Sequence, residues 1–228
     1  MFRAIVFSAV LAGIIGGVVA TFAQAAKVTP LIRQAEIYEE AARAKVSDGD
    51  VETHDHSNGH GWMPRAGLQT TLATLGANVL AGVGFALLIT AAMMLHGEVN
   101  WYRGLLWGVG GFASFALAPA VGLPPELPGM TTADLFSRQA WWIGTALATA
   151  GGLILLFLVR RPAWAALGAL LIAVPHLIGA PHPSGAGANL PPELIIEFGI
   201  ATLVTNLFFW ASLGVASGIL FEKLRPAP

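Results

Sequence analysis

Apolar residues fall in long blocks along this chain, not in the alternation of a half-buried strand or the narrow stripe of a surface helix. Blocks at Ala4–Ala26, Gln69–Leu95, Tyr102–Val121, Gln139–Val159, Ala163–Ala180 and Glu197–Leu220 each approach or exceed the roughly 20 residues that a helix needs to cross about 30 Å of hydrocarbon. The pattern predicts an all-α integral membrane protein, a bundle of about six transmembrane helices forming one membrane domain over residues 1–228.

Prolines punctuate the gaps. Leu123-Pro124-Pro125 and Leu190-Pro191-Pro192 each follow an apolar run, where a proline pair is expected to stop a helix. Inside the blocks, small residues recur at helical spacing. Ala9, Gly13 and Gly17 form one such face, Gly104 and Gly108 a second, Gly214 and Gly218 a third; faces of this kind let helix backbones approach closely in lipid. The polar stripe Thr70, Thr74, Asn78 and the pair Thr145, Thr149 are expected to face other helices, because hydrocarbon offers them no partner. The first block also carries Ala23-Gln24-Ala25, which has the form of a signal-peptide cleavage site. Its apolar run is longer than a signal core, so the reading taken is an uncleaved first helix.

Composition agrees with a lipid-facing surface. Of 228 residues, 55% are hydrophobic and 11% charged, whereas soluble domains carry about a quarter charged residues. A net charge of −1 gives no footprint for nucleic acid. The absence of cysteine removes disulfides, iron–sulfur ligation and thiolate metal sites. Any metal must then bind His, Asp, Glu, Asn, backbone carbonyls or water, a donor set that argues against Cu(I) and leaves Co, Ni, Zn and Mn open. No phosphate-binding Gly-rich loop, His-Glu-x-x-His or Gly-x-Ser-x-Gly motif occurs, so no enzyme activity and no permanently bound cofactor are expected.

Orientation follows from basic residues in the loops. Lys and Arg divide six to six between the two sides; the short loops break the tie, because Arg160-Arg161 fills the tightest turn on one side while Pro181–Leu194 on the other has no basic residue. Both termini are therefore placed in the cytoplasm. On that topology, 11 of 13 acidic residues and five of six histidines lie on the outer side, leaving only Glu98, Glu222 and His96 inside. One face collects the groups that attract and ligate cations.

Two constellations stand on that face. The first is the long hydrophilic loop 27–68. Leu31–Val46 reads as a helix continuing from or lying beside the first span, carrying Glu36, Glu39 and Glu40. Its acids form either a solvated face in which Glu39 pairs with Arg43 at i, i+4, or a carboxylate patch that feeds metal inward. Residues 48–60 follow, with His54, His56, His60 and four carboxylates among 13 residues, a composition that suits borderline divalent ions and has too few apolar residues for a core. Such a loop fits capture and release, not tight storage.

The second constellation is Val174-Pro175-His176-Leu-Ile-Gly-Ala-Pro181-His182-Pro183, followed by Glu193 and Glu197. Pro175 removes a helical hydrogen bond, and an interrupted helix with ionisable residues points to an ion site in a transporter. A break at Pro181 would let His176 and His182 converge, and Glu193 and Glu197 would share a face if both are helical. The alternative for His176 is a packed imidazole bonded to a backbone carbonyl. The sequence Leu-Pro-Pro-Glu-Leu occurs twice, at Leu123–Leu127 and Leu190–Leu194, as expected of paired helix stops on the outer rim or of coincidence.

Over nearly its whole length the chain resembles the CbtA family of predicted cobalt transporter subunits. The resemblance is carried by Leu31-Ile-Arg-Gln-Ala-Glu-Ile-Tyr-Glu39, Trp62-Met-Pro-Arg-Ala-Gly67, Gly104-Leu-Leu-Trp-Gly108 and Leu123-Pro-Pro-Glu-Leu-Pro-Gly129, then by Arg138-Gln-Ala-Trp-Trp142, Pro175–Pro183 and Asn206-Leu-Phe-Phe-Trp210. It implies a multi-pass protein of the bacterial inner membrane that carries cobalt, or nickel, for cobalamin synthesis. It also implies a small single-span, histidine-containing partner, CbtB, and leaves a homo-oligomer open. The competing reading is a non-transporting scaffold that hands metal to a partner; a membrane enzyme with a His/carboxylate centre is the third.

Overall fold

The computed structural model describes residues 2–47, 67–97, 99–159, 161–183 and 190–225. Among them the chain forms eight α-helices and two π-turns and no strand. Helix α1 (Phe2–Ala23) runs through a π-turn (Gln24–Val28) into α2 (Thr29–Ser47), so the predicted loop helix is a continuation of the first span. Helix α3 is Leu68–His96, and α4 (Trp101–Phe112) passes through a second π-turn (Ala113–Leu117) into α5 (Ala118–Gly122). Helices α6 (Leu135–Phe157), α7 (Pro162–Ile178) and α8 (Pro192–Leu224) complete the bundle.

Five helical stretches are long and apolar enough to cross a membrane: Phe2–Ala42, Leu68–His96, Trp101–Gly122, Leu135–Phe157 and Pro192–Leu224. The sixth apolar helix, α7, has 17 residues, about 25 Å at 1.5 Å per residue, and so reaches slightly less than the usual hydrocarbon thickness. Two boundaries depart from the sequence reading. Helix α7 is not broken at Pro175 or Pro181; it continues through Pro175 and ends at Ile178, where Gly179 adopts φ +88°, a conformation open to glycine without strain. Pro191-Pro192 does not stop a helix but opens one. Pro192 sits in the first turn of α8, where its missing N–H has no helical partner to lose, so α8 starts before Glu193 instead of at Glu197.

Lipid supplies no hydrophobic drive between helices, so close packing of small residues must hold the bundle. The three small-residue faces read from the sequence do this. Gly13 and Gly17 lie against Val83 and Val79 of α3; a Cβ on Gly17 would stand 2.7 Å from Val79 Cα, and one on Gly82 the same distance from the Gly13 carbonyl oxygen. Gly104 and Gly108 face Gly214 and Gly218, and a Cβ on Gly104 would strike the Gly214 carbonyl oxygen. Two of the faces therefore complement each other across α4 and α8. Between α6 and α7, Gly152 and Gly168 meet in the same way. Thr145 and Thr149 are buried between helices, although no described group hydrogen-bonds to either hydroxyl, and Thr70 of the other stripe is exposed. Helices α6 and α7 pack mainly on each other and join the remainder through the second π-turn and α5.

One end of the bundle is closed by its own apolar cluster. Val28 at the end of the first π-turn and Leu31 and Ala35 on α2 pack with Leu127, Leu190, Leu194 and Phe198. The last leucine of each Leu-Pro-Pro-Glu-Leu copy belongs to this cluster, although the first copy follows a helix and the second begins one. This α2 end gathers the start of α8, the end of α5 and the loop before α6. Asp134 caps α6 there, accepting hydrogen bonds from the Ser137 amide (2.9 Å) and hydroxyl (3.0 Å). Those bonds, the amide's first, hold its carboxyl below the ordinary range.

Candidate functional site

His176 lies in the last turn of α7, half-buried, one residue beyond the buried Pro175. Its imidazole stands edge-on to the indole of Trp141 on α6, with ring centroids 6.0 Å apart. That indole fills the space a side chain at Gly122 would need, beside Ala180, so α5, α6 and α7 converge on it. Among the described residues none hydrogen-bonds to the His176 ring, so the carbonyl-bonded alternative is not the arrangement adopted there.

The other predicted ligands are not brought onto this imidazole: α7 packs on α6, whereas the predicted carboxylates stand on α2 and α8. His182 is exposed, three residues past Gly179. Glu193 and Glu197 are both helical and one turn apart on α8, exposed beside the buried Leu194 and Phe198. Glu36 is exposed on α2, and Glu39 lies against Gly129, which turns the loop at φ +81°. His54, His56 and His60 lie outside the described residues. Among the described residues no three His, Asp or Glu side chains gather as a metal-binding group. The carboxylate of Glu126, from the first Leu-Pro-Pro-Glu-Leu copy, is taken up in an ion pair with Arg138.

A second polar constellation lies deeper. A cavity of about 260 Å³ opens between α1, α3, the second π-turn, α6 and α8. Its polar lining is Gln24, Asn78, Thr205 and Asn206, and its walls include Phe85, Phe115, Trp142, Phe209 and Trp210. Both π-turns contribute, through Gln24 and Phe115; such turns are common at functional positions because the extra residue re-aims the side chains around it. In the sequence Asn78 reads as helix packing and Gln24 as part of a cleavage-like motif. Their meeting could not be read locally, since Asn78 and Asn206 come together because α3 and α8 both run antiparallel to α1.

A sequence model of one protein family, described as "Probable cobalt transporter subunit (CbtA)", matches residues 2–222. No curated protein and no solved structure matches the chain.

Proposed function

The chain belongs to the CbtA family of probable cobalt transporter subunits, and from that premise we propose that it is a permease subunit carrying a divalent transition metal, cobalt foremost, across a bacterial inner membrane to supply cobalamin synthesis. The observation that carries this reading is the reach of the family match, which extends over all five membrane-length helices of the described residues except the last two residues of α8. Chemistry supports it. A cysteine-free chain whose histidines and carboxylates crowd toward one side offers imidazole and oxygen donors, the set that borderline divalent ions prefer.

In this reading the α2 end faces outside and both termini are cytoplasmic. The loop bearing His54, His56 and His60 captures metal, with Glu36 and Glu39 as accessory carboxylates. Entry is at His176 and His182, with Glu193 and Glu197 beside them. Two neutral imidazoles and one or two carboxylates nearly neutralise a divalent ion, and water or a histidine of a small single-span partner completes its shell. Nickel meets the same ligands. A second reading, a scaffold that hands metal to that partner, is favoured by one observation: the described residues alone do not gather three ligands. Cobalt uptake into sealed membrane vesicles, with the chain and partner expressed singly and together, separates the two. A permease needs this chain for movement; a scaffold raises only the amount bound.

A further inference from the structure

Hydrogen bonding fixes which atoms the two asparagines that line the cavity have left to offer. Thr21 donates its hydroxyl proton to the Gly17 carbonyl at 2.8 Å, so its oxygen has only lone pairs left to offer. The Asn78 atom 2.9 Å from it must therefore be the amide nitrogen, which also donates to Gln24 Oε1 at 2.7 Å. Asn78 Nδ2 thus spends both protons on α1 and its π-turn. Asn206 Nδ2 lies 3.0 Å from the Thr202 carbonyl, a group that can only accept. In both residues the nitrogen is held by protein, and among the described residues the amide oxygen is the atom with lone pairs unspent.

Depth and size define the occupant. Asn78 lies ten residues into α3 and Asn206 fourteen into α8, roughly 15 and 21 Å along their axes at 1.5 Å per residue. Amide oxygens at such a depth are acceptors without a protein donor among the described residues, and the waters bound to a cation are the strong donors that suit them. A volume of about 260 Å³ holds an ion together with six waters, whose share of liquid volume is about 30 Å³ each. No carboxylate or imidazole lines the cavity, so direct tight ligation is excluded and the ion must keep most of its own water.

We infer that this cavity is an intermediate station in which a divalent cation rests with its water shell, its bound waters donating to Asn78 Oδ1 and Asn206 Oδ1. The inference rests on the transport reading and adds a step to it. Trp141 touches His176 and Trp142, the next residue of α6, lines the cavity, so one helix carries both the contact to the histidine entry and a wall of the station. Outer-shell contacts to neutral oxygens distinguish poorly between metals. Selectivity then belongs to His176, and the station lowers the desolvation barrier for whatever has been admitted.

The test is cobalt quenching of tryptophan fluorescence in purified protein, in a Trp141→Phe background that silences the reporter beside His176, paired with vesicle uptake. Cobalt is expected to give a saturable quench that Trp142→Phe diminishes. Asn206→Leu, whose only lost bond is within its own helix, should weaken the half-saturation about tenfold and lower uptake of cobalt and nickel by the same factor. Asn206→Asp, which keeps an oxygen and adds charge, should tighten half-saturation by a similar factor and serves if the leucine variant does not fold. Quenching and uptake unchanged in Asn206→Leu, or no tightening in Asn206→Asp, overturn the station while leaving transport intact. Quenching that depends on Asn206 in a protein that moves no metal upholds the hydrated-ion site but removes the permease reading and, with it, the site's role as a station.

Discussion

The imidazole of His176 meets the indole of Trp141 edge-on at 6.0 Å, and no hydrogen bond from the described residues claims either of its nitrogens. An imidazole left in that state, at the end of an apolar helix, is available to a metal. We expect His176→Ala to abolish uptake, and Glu193→Gln or Glu197→Gln to weaken it severely by removing a carboxylate proposed for the ion's shell. If His176 were only a packing residue, His176→Gln would retain most activity. Near-normal uptake in a His176→Ala/Glu197→Gln double variant would eliminate this entry site.

The histidines of the long loop should behave differently. Replacing His54, His56 and His60 together by Ala is expected to slow uptake when metal is scarce and capture limits the rate. At saturating metal the rate should stay close to that of the unaltered protein. Loss at every concentration, in a variant with normal expression and melting temperature, would show the loop to be part of the permeation site.

Packing of α4 on α8 depends on the absence of a side chain at Gly104, where even a methyl would meet the Gly214 carbonyl oxygen. Gly104→Ala must push two backbones apart and should destabilise the protein by about 1–3 kcal/mol, the usual cost of overpacking. Gly144→Ala is the matched control, because a Cβ there meets nothing within 4 Å. Thermal unfolding in detergent should separate the two, with a clear drop for Gly104→Ala only. Equal melting temperatures would mean that the α4–α8 contact is looser than described.

Leu127 and Leu194 share one buried cluster with Val28 and Leu31, which places the loop before α6, the start of α8 and α2 at a single end. Orientation then needs only a few labels. Single cysteines at the exposed positions Glu40, Thr132 and Ala163 of this cysteine-free chain can be probed with an impermeant thiol reagent. Labelling from outside is expected at the first two and not at the third. Labelling of Ala163→Cys alone would invert the protein.

The membrane spans were legible because twenty-residue apolar blocks have no other stable use, and the packing partners were legible in part because glycine recurs every fourth residue. Gly104 and Gly108 meeting Gly214 and Gly218 is that signal realised. Helix starts were harder. Pro191-Pro192 after an apolar run reads as a stop, whereas proline suits the first turn of a helix equally well, and nothing local distinguishes the two uses. The π-turns at Gln24–Val28 and Ala113–Leu117 left no trace in the sequence, since the same residues serve an α-helix and only packing selects the wider turn. The deep cavity was missed for a related reason. Asn78 was visible as part of a polar stripe, but the oxygen it offers follows from a hydrogen-bond chain through Thr21 and Gln24 on another helix.

The central claim is movement of metal through this chain, and the direct measurement is cobalt entry into proteoliposomes containing a cobalt-sensitive dye. Purified chain would be reconstituted alone, with the small histidine-containing partner, and as the His176→Ala variant with that partner. The account predicts lumenal cobalt rising well above that of protein-free liposomes when chain and partner are both present, and no rise with His176→Ala. Cobalt that binds the reconstituted protein from outside, with the partner present, yet never reaches the dye would contradict it.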